Sequence, residues 1–101
     1  MITKEQEEAL KNLTNYVADY CKENDISVLM VSSINEECPN GIEQICSSVI
    51  QGNGKYIIGA IAGAIKANDK LGAFLTEGLL YAGKASGTIT NIPMIENVNL
   101  N

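Results

Sequence analysis

The amino-acid sequence predicts one α+β domain built from an N-terminal helix, an antiparallel β-hairpin, two C-terminal helices and an extended C-terminal tail. Three observations carry that prediction. Apolar residues recur at helical spacing near the start of the chain. Two runs rich in β-branched residues flank a Pro-Asn-Gly turn, and helical spacing returns after Gly52-Asn53-Gly54. At 101 residues the chain supports one hydrophobic core, so residues 1–87 read as the domain and 88–101 as its tail.

Thr3-Lys4-Glu5-Gln6 has the spacing of a capping box, in which a hydroxyl and an amide reciprocally satisfy free N–H groups at a helix start. Leu10, Leu13, Val17, Tyr20 and Cys21 follow on one stripe, which predicts a helix over 4–23, ended by Asn24-Asp25 and packed on a sheet from one side. Its early carboxylates suit the positive end of the helix dipole.

Residues 26–34 predict a strand, and because apolar side chains point both ways early in the run, its start is expected to be covered on both faces. Cys38-Pro39-Asn40-Gly41 supplies turn chemistry, since Pro presets φ and Asn-Gly tolerates positive φ. The second strand covers 42–51, with Ile45 and Val49 on one face and Ile42, Cys46 and Ile50 on the other. Ser32-Ser33 and Ser47-Ser48 are expected to be cross-strand neighbours, and Glu36, Glu37 and Glu43 a solvated acidic turn.

Asn53 is a natural N-cap for a helix over 56–67, in spite of the glycines there. Asn68-Asp69 breaks the pattern, and Leu71, Phe74, Leu75, Leu79 and Ala82 predict a third helix over 70–83, stopped by Gly83. Pro93 forbids a helix interior in the Asn-rich tail, which reads as a strand laid on a sheet edge or as a flexible arm.

A net charge of −5 with seven scattered basic residues disfavours direct nucleic-acid binding and attraction to an anionic membrane. No apolar run reaches the ~18 residues needed to span a bilayer, the N-terminus lacks a signal-peptide pattern, and a cytoplasmic location is expected. Cys21, Cys38 and Cys46 are odd in number and match no zinc spacing; reduced thiols are expected, with a Cys38–Cys46 bridge as the alternative. The chain has no histidine, the usual neutral-pH acid–base group, and no carboxylate set with metal spacing. No catalytic residue, metal or cofactor is therefore expected, and the chain reads as a non-enzyme.

Two features remain as candidate sites. Gly52, Asn53, Gly54 and Lys55 stand between a strand and a helix, where free N–H groups attract anions, although Val49 and Tyr56 break the Walker pattern and Ile57 breaks the Rossmann one. On the following helix, Gly59 and Gly63, Ala60 and Ala64, and Ala67 form a small-residue series beside Ile57. Such residues suit a helix lying close on its own sheet, or a subunit contact. The helix is apolar nearly all round, more than a lone domain of this size hides, so a homo-oligomer is expected.

The order helix, strand, turn, strand, Gly-Asn-Gly, Ala/Ile-rich helix is carried by ISVLMVSSI at 26–34 and ICSSVIQGNGKYIIGAIAGAI at 45–65. It resembles a loose group of small uncharacterised accessory proteins of bacteriophages and mobile elements in gut bacteria. The resemblance implies a compact oligomeric accessory protein and carries over no functional residue. The third helix and the tail depart from it.

Acidity, size and missing catalytic groups together predict a stoichiometric protein-binding module, such as a phage-derived inhibitor or accessory factor. Its acidic face would comprise Glu5, Glu7, Glu8, Asp19, Glu36, Glu37 and Glu43. A small-ligand or nucleotide binder using Gly52–Lys55, and a purely structural assembly subunit, are the alternatives.

Overall fold

A computed structural model describes residues 1–82, 88–91 and 95–99. The first helix, α1 (Lys4–Glu23), begins at a complete capping box: Gln6 N–H donates to Thr3 Oγ1 at 3.1 Å, and Thr3 N–H donates to Gln6 Oε1 at 2.9 Å. Its buried stripe is Leu10, Thr14, Ala18 and Cys21, at the four- and three-residue steps that keep side chains on one helix face. Asp25, at φ 55, is the residue that turns the chain out of the helix toward the sheet.

Strands β1 (Val28–Cys38) and β2 (Gly41–Asn53) pair antiparallel without interruption from Val28↔Gln51 to Cys38↔Gly41. The loop is thus only Pro39-Asn40, with Gly41 at φ 135. This register places Met30 with Val49, Ser32 with Ser47 and Ile34 with Ile45 on the face beneath α1. Leu10 and Ile45 form the buried centre, with Ile2 and Ile34 packed against them.

A short chain of hydroxyls crosses the same layer. Thr14 Oγ1 donates to the Leu10 carbonyl at 2.8 Å and lies 2.6 Å from Ser47 Oγ, which lies 3.0 Å from Ser32 Oγ. Buried polar groups survive only when satisfied in this way. The expected cross-strand serine pair is therefore Ser32–Ser47, and its partner across the layer is a helix threonine.

The hairpin corrects two expectations. Glu36 and Glu43 do not sit in a solvated turn; they face each other across the strands, Glu36 half-buried. The Met1 amino group pairs with Glu36, and that hydrogen bond raises the ammonium's pKa. Nor does a helix layer cover both faces of β1: opposite α1, Leu29 is 40% and Val31 76% exposed. The chain leaves the end of β2 into two helices that edge this face at Leu29 and Val31 without burying either.

Cys38 pairs with Gly41 on the α1 face, whereas Cys46 pairs with Ser33 on the other, so the sheet separates the two sulfurs. All three cysteines are free thiols, and partial burial raises the Cys46 pKa.

Asn68 alone separates α2 (Gly54–Ala67) from α3 (Asp69–Ala82). Two short strands then return to β2, both parallel to it. β3 (Thr88–Asn91) runs along Glu43–Cys46 and β4 (Ile95–Asn99) along Val49–Asn53. Parallel pairing requires a crossover, and α2 with α3 supplies it. Of the two readings of the tail, a strand on a sheet edge describes 88–91 and 95–99, and β2 becomes the centre of a mixed sheet. The expected stop at Gly83, and Ile92, Pro93, Met94 and Leu100, lie outside the described residues.

Candidate functional site

α2 starts where the sequence places its cap: Asn53 Oδ1 accepts from Lys55 N–H at 2.9 Å. Asn53 N–H donates in turn to Ser27 Oγ at 3.1 Å, which ties the helix start to the entry of β1. Gly52, at φ 108, makes this crossing possible: a Cβ there would stand 2.7 Å from Ser27 Cα and also strike Ser27 Oγ.

A polar pocket of about 330 Å³ opens at this junction, lined by residues that include Lys22, Asp25, Gln51, Gly52, Asn53 and Tyr56. Of the predicted loop, Gly52 and Asn53 face the pocket and Gly54 is buried, while Lys55 is exposed and outside the lining. The cation at the pocket is Lys22, from the last turn of α1, beside the carboxylate Asp25. Two opposite charges and several amides suit a small polar molecule better than a polyphosphate, for which a single cation is a weak counter-charge.

The second feature is apolar. On α2 only Gly54 and Ile57 are buried. Ile58 is 69% exposed, and Gly59 and Gly63 have nothing within 4 Å of a would-be Cβ, so these glycines do not serve close packing on the chain's own sheet. Ala60, Ala64 and Ala67 are exposed as well. Every predicted interface residue except Ile57 therefore lies on open surface.

α3 has no buried residue at all. Phe74, Leu79, Leu80 and Tyr81 are at least half exposed, with Leu79 at 80%. Near the corner it meets α2 closely: a Cβ at Gly72 would touch Ile65 Cγ2 at 3.4 Å. Beyond the corner the two helices and β1 enclose an apolar groove of about 300 Å³, lined by Leu29, Val31, Ile57, Ile61, Leu71 and Leu75 among others. Sequence reasoning identified α2 as surplus apolar surface but missed the larger contribution of α3 and of the open sheet face. The signal for α3 was present: Leu71, Phe74, Leu75 and Leu79 share a stripe that nothing in the predicted fold was left to cover.

Among the described residues no grouping of His, Cys, Asp and Glu could hold a metal ion, and no helix is long and apolar enough to cross a membrane. Compared with protein-family models, with characterised proteins and with solved structures, the chain matches none.

Proposed function

We propose that this protein is a protein-binding module whose contact surface is the α2–α3 hairpin together with the uncovered face of β1. The observation that supports this most directly is α3 itself. A 14-residue helix containing Gly72 and Gly78, in which only Leu71 and Gly72 are even half-buried, gains little from packing on its own chain. Helices this short are marginal in water, and each interior glycine costs about 1 kcal/mol relative to alanine. Cover from outside the chain would supply what its own packing does not. Contiguous apolar surface of this kind is characteristic of interaction sites.

The acidic residues lie elsewhere. Residues 1–53 hold three lysines against nine carboxylates, whereas 54–82 hold Lys55, Lys66 and Lys70 against Asp69 and Glu77. The proposed contact face is therefore close to neutral, and the acidic α1 surface keeps the remainder of the molecule solvated. A photo-reactive residue placed at Leu79 is expected to crosslink to protein in the expressing cell, while one at exposed Glu8 is not. Equal yields at both positions, or none at Leu79, would contradict the proposal.

A further inference from the structure

Resting on that reading, we infer that the occupant of this surface is a second copy of the same chain, each copy laying its α3 across the open sheet face of the other. The two surfaces are complementary in kind. A sheet needs a layer on each apolar face; α1 supplies one, while on the face bearing Leu29, Val31, Ile42 and Ile50 the chain's own α2 and α3 border the groove at Leu29 and Val31 and leave Val31 76% and Ile42 45% exposed. α3 turns Leu71 and Leu75 toward that groove and leaves Phe74, Leu79, Leu80 and Tyr81 at least half exposed. Its apolar arc runs from Tyr81 and Phe74 through Leu71 and Leu75 to Leu79, leaving Lys70 and Glu77 on the outer side. Two-fold exchange satisfies both deficits twice, which is the closed, self-complementary arrangement that symmetric dimers use.

Dimensions agree with a chain shaped by a partner. The radius of gyration is 15.0 Å, against about 13 Å for a compact domain of this length. The accessible surface is 7448 Å² for 10.8 kDa, where about 5,500 Å² is usual for a folded monomer of that mass. The surplus, about 1,900 Å² per chain, exceeds the ~800 Å² that each partner buries in a standard interface. Charge restricts where two copies can meet. Two chains of net charge −5 repel over most of their surface, and the near-neutral hairpin is where they can meet.

Light scattering on the full chain tests this. The expected molar mass is twice 10.8 kDa. Val31→Glu and Leu79→Lys, both at sites exposed within one chain, should each leave circular dichroism of the body unchanged and weaken dimerisation at least ~100-fold. Mixing the two variants should restore the doubled mass, because one of the two exchanged contacts is then intact and the other sets Glu against Lys. A wild-type mass of 10.8 kDa overturns the second-copy inference; if Leu79 still crosslinks to other proteins, the protein-binding reading stands without it. A doubled mass unaffected by either variant, or one that mixing fails to restore, also overturns it.

Discussion

Replacing Leu10 with alanine is expected to destabilise the protein by about 3 kcal/mol, a loss large enough to lower the melting temperature by roughly 12–24 °C. Leu10 is 4% exposed and lies at the centre of the α1–sheet layer, against Ile45, Ile34 and Ile2. Only Leu10, Ala18, Cys21, Ile45, Val49 and Ile57 are buried apolar residues among those described, so no second cluster shares the load. Removing the isobutyl group loses its transfer free energy and leaves a cavity. The neighbouring hydroxyl chain cannot close that cavity without giving up the Thr14–Ser47 contact. Small domains hold only ~5–15 kcal/mol in total. A urea titration monitored by far-UV circular dichroism reads the effect as a lower midpoint. A midpoint within error of wild type would mean that the layer under α1 is not the stabilising core.

Gly52→Ala is expected to cost about 2–4 kcal/mol through a different mechanism. At φ 108 an alanine is strained before it meets anything, and its methyl would then press on the Ser27 backbone. Ser27 cannot simply move aside, because its hydroxyl accepts the Asn53 N–H that fixes the start of α2. Gly59→Ala provides the control. Within one chain that site is helical and open, so at protein concentrations low enough to leave the hairpin uncovered the same substitution should stabilise by up to ~1 kcal/mol. Thermal melts of the two variants should move in opposite directions. Parallel shifts would show that the β2–α2 crossing is less constrained than its geometry implies.

These two sites also illustrate what the sequence made legible. Local chemistry was readable: the Thr3–Gln6 box, the turn at Pro39-Asn40-Gly41, the Asn53 cap and the facing of Ile45 and Val49 all follow from short-range rules. Strand ends were less so. Glu36 and Glu37 look like turn residues by composition, yet a two-residue loop extends β1 through them, and register over the whole hairpin overrides local polarity.

Of the sheet's layering, the packing of α1 on one face was legible and the state of the other face was not. Alternating and two-sided apolar patterns at Leu29 and Val31 indicate that a face wants cover, but not which element, or which molecule, supplies it. For the same reason the helix over 56–67 reads as too apolar for a lone domain, while the equal need of α3 does not show. Parallel addition of β3 and β4 to β2 depends on where two helices carry the chain, which periodicity does not encode. At the polar pocket, Gly52 and Asn53 were visible from their turn and cap chemistry. Lys22 and Asp25 were not, because only the fold brings the end of α1 to the start of α2.

Amide hydrogen exchange across residues 56–82, followed over a dilution series, asks most directly whether this hairpin is held by contact with another molecule. Cover from outside predicts slow exchange in α3 at high protein concentration, giving way on dilution to exchange near the rate of an unstructured peptide, while α1 and β2 stay protected. If α3 is equally protected at every concentration, down to where the chain is a monomer, the helix is held by its own chain and the interface account is wrong.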